Sequence, residues 1–126
     1  VNDLLGLKRA WGAYPGDGSG TVDCCLMALE VHRRLGYHNY IPEVAWIFER
    51  YTDDTLPANF IARWLLKNGK RLTGPEPHAL ALLPSHGVGA VGTVLDDGTM
   101  LFIGPGGSVI RTAVADDFGW YFRLNK

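Results

Sequence analysis

The chain holds 126 residues, 12 Lys and Arg against 13 Asp and Glu, with 47% hydrophobic and 20% charged residues, the proportions of one globular domain over residues 1–126. A net charge of −1 with singly scattered basic residues leaves no electrostatic footprint for nucleic acid and no polybasic membrane patch. No apolar run approaches the roughly 18 residues of a bilayer span, and residues 1–16 lack the charged-then-apolar layout of a signal peptide, so a soluble, non-inserted and not self-exported domain is expected.

In chain order, Leu4, Leu5, Leu7, Ala10 and Trp11 form one short amphipathic stretch. Tyr14-Pro15-Gly16-Asp17-Gly18-Ser19-Gly20 follows, too densely punctuated for any regular element. Residues 23–36 predict the central buried helix: Asp23 or Thr21 is the N-cap, apolar residues run through Val31, basic residues close it, and Gly36 stops it. Further helices are predicted over 42–51 and 57–68, the second opened by Thr55 or its neighbours and closed by Gly69. Trp46, Phe48, Phe60 and Trp64 read as packing residues. After Gly74-Pro75-Glu76-Pro77 the pattern changes to short strands over 79–83, 88–95, 99–103, 108–112 and 118–124, with Asp96-Asp97-Gly98 as a hairpin turn. Helices first and then an antiparallel meander predict an α+β fold.

The two cysteines are neighbours, Cys24 and Cys25, so they cannot staple distant segments. With four scattered histidines they match no dense metal-ligand pattern, and no metal or cofactor is expected. Cys24 falls on the first turn of the central helix after a glycine-rich loop, where unpaired N–H groups and the helix dipole stabilise a thiolate and draw its pKa from about 8.5 toward neutrality. Cys25 lies about 100° round the helix, facing the core. The alternative for Cys24 is a small buried hydrophobe. A thiolate attacking an amide also needs a base. His32 sits eight residues further along the helix, roughly 12 Å at 1.5 Å per residue, and His38 lies past its far end. Both read as solvated or capping residues. His78 opens the first strand and His86 precedes the second, and both compete for the role of base, His86 against the alternative of a surface-loop histidine.

The run from Tyr14 through Asp23-Cys24-Cys25-Leu26, ending at Arg34-Leu35-Gly36-Tyr37, resembles the signature of the NlpC-type papain-like cysteine peptidases. More closely, Val88-Gly89-Ala90-Val91-Gly92, Phe102-Ile103-Gly104-Pro105-Gly106-Gly107 and Gly119-Trp120-Tyr121-Phe122-Arg123 are similar to a small NlpC-like branch found among tail genes of phages, prophages and gene-transfer agents. That resemblance implies a papain-like fold, the cysteine helix packed on an antiparallel sheet. It implies Cys24 as nucleophile, with Asp23 and Cys25 at the helix N-terminus and the N–H of Cys24 or Cys25 in the oxyanion hole. The family's histidine opens a strand, and aligning that motif puts Ala90 at its place, four residues beyond His86. The family's third polar group falls around 101–103, where this chain is apolar, and Asp96 and Asp97 belong to the turn. Two functions follow. One is a cysteine peptidase with Cys24 and His86 acting on peptidoglycan stem peptides. The other is a non-catalytic component of a phage tail tip or baseplate, docking on tail proteins through the helical middle and an edge strand at 118–124. Either implies location in the virion, or in the host cytoplasm before assembly. A redox or acyl-carrying thiol lacks the Cys-x-x-Cys spacing.

Overall fold

The computed structural model describes residues 2–52, 54–57, 59–83, 90–104, 106–114 and 119–125. The amphipathic N-terminal stretch forms only a 3-10 turn, Asn2–Leu4, whose Leu4 is buried. Gly6, at φ 84°, turns the chain into β1 (Lys8–Arg9), which pairs in parallel with β2 (Thr21–Val22).

Helix α1 (Cys24–Arg34) begins at Asp23, whose extended backbone and capping carboxylate satisfy the first free N–H groups. It ends where Gly36 adopts φ 94°, a left-handed stop that costs a glycine little. Leu26, Ala28 and Leu29 pack into one cluster with Val44, Ile47, Leu65, Leu80, Leu82, Val91, Phe122 and Leu124. Met27 and Val31 pack into a second with Leu4, Val22, Leu101, Ile103 and Val109. The helix is therefore buried on two sides, and each large apolar side chain it removes from water contributes about 1.5–3 kcal/mol.

Helix α2 (Ile41–Arg50) carries a proline in its first turn, as expected. Helix α3 (Phe60–Asn68) starts later than the composition predicts. Thr55 does not cap it: its hydroxyl accepts the Thr52 N–H at 2.8 Å, closing a separate turn, and Asn59 enters the helix through a left-handed conformation, φ 62°. Gly69 is extended rather than left-handed, so α3 runs straight into β3 (Gly69–Leu72). A Cβ on Gly69 would lie 2.4 Å from the Arg123 carbonyl oxygen, so this junction requires glycine.

The other strands are β4 (Leu80–Leu83), β5 (Ala90–Val94), β6 (Thr99–Ile103), β7 (Val109–Ala113) and β8 (Trp120–Leu124). They form one antiparallel sheet in the order β3-β8-β4-β5-β6-β7. The α+β class holds, with two corrections. Helices do not come strictly first, because β1 and β2 precede α1 and β3 follows α3 directly. The meander covers only β4 to β7; β8 crosses back to lie between β3 and β4, so it is an interior strand and not the free edge expected at 118–124. The edges are β3 and β7, and the start of β7 is partly covered because Val109 N–H donates to Leu7 O and Gly6 N–H to Val109 O.

Helix α1 lies across β5 and β6. On the opposite face Ala79, Ala81, Val94, Met100, Phe102 and Tyr121 pack together, so the middle strands are apolar on both sides. No described helix is long and apolar enough to cross a membrane.

Candidate functional site

Asp23 organises the N-terminal end of α1. Its Oδ1 accepts the N–H groups of Cys25 at 2.9 Å and Leu26 at 3.3 Å, and its Oδ2 accepts the Gly12 N–H at 3.2 Å. One carboxylate therefore caps the helix and ties down the preceding loop. Asp23 is 2% exposed, and burial pushes its pKa up against the pull of these three donors. The cap also occupies the Cys25 N–H.

Cys24 is half-buried on the first helical turn. Its thiol pKa is pushed up to about 11, first by burial and then by the Asp23 charge, while the Val91 N–H facing the sulfur pulls the other way. The lowering expected at a helix start is thus reversed, because burial and the capping carboxylate outweigh the helix end. Cys25 packs against the core cluster around Leu26. Its thiol is raised well above the ordinary range by burial, then by Asp23 and Cys24.

Val91 is the second residue of β5, so the opening of that strand lies against the sulfur, and Ala90 is its neighbour. His86 lies outside the described residues. The other histidines belong to the far end of the helix. His32 was expected to be solvated or capping, but it is fully buried, with Nδ1 2.9 Å from Ala28 O and Nε2 2.8 Å from His78 O. Burial pushes its pKa down, so the ring is neutral at pH 7. The ring anchors α1 to the segment entering β4. His38 is exposed and meets Glu43 at 2.5 Å.

His78 has φ 71°, unusual for a residue with a side chain. Its Nε2 lies 2.7 Å from Asp96 Oδ1, and its Nδ1 3.2 Å from the Tyr37 hydroxyl. Tyr37 also stands edge-on to both the His32 and His78 rings. Asp97 is the turn residue expected, accepting from Thr99 N–H and Oγ1. Asp96, by contrast, reaches out of the turn to His78. This cluster escaped sequence reasoning, although the hairpin held the signal: His78 lies two residues before β4 and Asp96 two after β5, positions that an antiparallel pair brings together. No group of three or more His, Cys, Asp or Glu suited to a metal occurs among the described residues.

No family model, curated protein or solved structure matches the chain. The chemistry has to be read from the geometry. A thiol with its pKa near 11 is protonated at neutral pH, so attack on a carbonyl requires a base to take its proton. No described histidine stands at that end of α1.

Proposed function

We propose that the chain is an NlpC-like, papain-fold domain of a phage tail, a cysteine peptidase type acting on amide bonds of peptidoglycan stem peptides. The observation supporting this reading is the placement of Cys24: it opens a buried helix capped by Asp23 and lies against the start of a β-strand at Val91. In this reading Cys24 Sγ attacks the scissile carbonyl and His86 takes the thiol proton. The Cys24 N–H faces the developing oxyanion, His86 returns the proton to the leaving amine, and water then hydrolyses the thioester. Purified protein should release amine from wall peptides. Cys24→Ala and His86→Ala should each abolish release while leaving the circular dichroism spectrum unchanged. Near pH 7 an alkylating reagent should modify Cys24 faster than Cys25. Turnover that survives Cys24→Ala would sink the peptidase.

A second reading has its own support in the raised Cys24 pKa. In this reading the domain is a non-catalytic part of a tail tip or baseplate, present in the virion or, before assembly, in the host cytoplasm. It then requires equal, slow alkylation of both thiols, no action on cell walls, and co-purification with tail proteins.

A further inference from the structure

We propose that β3 is an open docking edge that takes an extended acidic segment of a partner protein as an added strand; the proposal does not depend on the chemistry of Cys24. The sheet ends at β3 and β7, but the chain closes β7 itself: the N-terminal segment bonds to Val109, and Asp97 engages Arg111. β3 packs mainly on β8 and α3. The Asn125 N–H donates to the Asn68 carbonyl at 3.0 Å, and bonded and unbonded pairs alternate along an antiparallel ladder. Lys70 and Leu72 therefore exchange bonds with Arg123 and Tyr121. Arg71, between them, turns its N–H and C=O outward, where they meet no partner among the described residues.

Charge identifies the occupant. Residues 55–75 carry Arg63, Lys67, Lys70 and Arg71 and no acidic residue, in a chain of net charge −1. None of the four meets a carboxylate among the described residues, and the next acidic residue along the chain, Glu76, is taken by Arg123. Successive strand residues face opposite sides of a sheet. Arg71, opposite Phe122, lies on the helix-bearing face with its guanidinium 5.8 Å from the ring centroid of the half-exposed Trp120. Lys70, opposite Arg123, lies on the other face. A strand carrying two consecutive carboxylates therefore meets one cation on each face. A second copy of this chain does not fit: two β3 strands paired antiparallel in full register set Lys70 against Arg71 twice, and like charges directly opposed destabilise a pair. A phosphate backbone answers the cations but leaves the outward N–H and C=O of Arg71 unused, whereas an added strand uses both.

The test titrates the full nitrogen-15-labelled chain, at low ionic strength, with the peptide Thr-Val-Thr-Asp-Glu-Val-Thr-Val. The controls are the same peptide with Asn-Gln in place of Asp-Glu, the acidic peptide N-methylated along its backbone, and polyuridylate. The acidic peptide should bind about fivefold more tightly than its Asn-Gln form, the scale of two exposed ion pairs. Near saturation it should slow hydrogen exchange of the Arg71 amide about tenfold, and more than that of Lys70 or Leu72, which already bond to β8. Lys70→Gln combined with Arg71→Gln changes only exposed side chains and should erase the preference for the acidic form. Absence of saturable binding, equal affinity for the Asn-Gln form, a preference that survives the double substitution, or an Arg71 amide that exchanges as before each overturns the docking edge. Equal binding of the N-methylated peptide, or tighter binding of polyuridylate, overturns it too and makes the surface a polyanion patch.

Discussion

The two ends of α1 gather polar and ionisable groups of different kinds. At its start stands the Cys24 thiol with a carboxylate and a backbone amide beside it. At its far end two histidines, a phenol and a carboxylate gather with no nucleophile. Eight residues separate Cys24 from His32, roughly 12 Å, so the histidine cluster cannot serve the thiol. The contrast teaches that a histidine beside an aspartate is not by itself a catalytic pair: His78 and Asp96 fasten a hairpin to the helix end, and the neutral His32 ring donates its single N–H to one of the two carbonyl oxygens it lies between.

The largest effect should come from the far end. His32→Ala removes a fully buried ring together with the one hydrogen bond its single N–H makes to a carbonyl oxygen, costing about 3–4 kcal/mol in denaturant unfolding. A cost under about 1 kcal/mol would show that the ring is no strut. The same ring gives the far end an acid sensitivity. Its folded pKa lies below the ordinary 6.5 because burial disfavours the cation, so its contribution is complete above pH 6.5 and is lost as pH falls and the unfolded chain takes a proton that the buried ring refuses. Stability measured from pH 7.5 to 5 should therefore fall less in a folded His32→Gln protein than in the unaltered one.

At the thiol end, Asp23→Ala should cost about 2 kcal/mol, from the lost cap and the orphaned Gly12 N–H. Asp23→Asn separates cap from charge, because asparagine caps about as well as aspartate. Asp23 has a folded pKa above the usual 3.8 through burial. Its contribution therefore favours the fold below 3.8 and is lost as pH rises through the folded value, a dependence the asparagine removes. The same change removes the charge that, after burial, contributes to holding the Cys24 thiol up at about 11, so the midpoint of Cys24 alkylation against pH should move down while that of a reference thiol stays put. An unchanged midpoint would assign the whole shift to burial.

The smallest effect belongs to the surface pairs on the last turns of α1. Glu30 accepts from Arg33 and Arg34, and Arg34 also reaches Asp3. These partners hold the Glu30 carboxyl below 4.5, so its contribution is present above pH 4.5 and lost as pH falls through the lower folded value. Glu30→Gln should cost about 0.5–1 kcal/mol at neutral pH, with a smaller difference in high salt.

The features legible from the amino acids were those set by neighbours in the chain. Asp23 as cap, Gly36 as stop and Asp97-Gly98 as turn each act within a few residues, and each stands where expected. Strand β3 was hidden because Gly69-Lys70-Arg71-Leu72 has an exposed middle and little apolar alternation. The late start of α3 depends on Asn59 accepting a left-handed conformation, which composition does not announce. The burial of His32 was masked by its charged neighbours Glu30, Arg33 and Arg34, although its own helix face points into the protein. The sign of the Cys24 shift was missed for another reason: the residue that makes the helix start also places a carboxylate beside the thiol, and how deeply both are buried is a property of the assembled layers.

The crossing of β8 has a consequence for biosynthesis. It is the last of the described strands to leave the ribosome, yet it lies between β3 and β4, so α3 and β3 wait about fifty residues of translation for the strand they pair with. During that interval the outer side of β4 is an unpaired hydrogen-bonding template. Nascent chains stalled before residue 120 should therefore engage holding chaperones, and release through residue 124 should be the event that frees them.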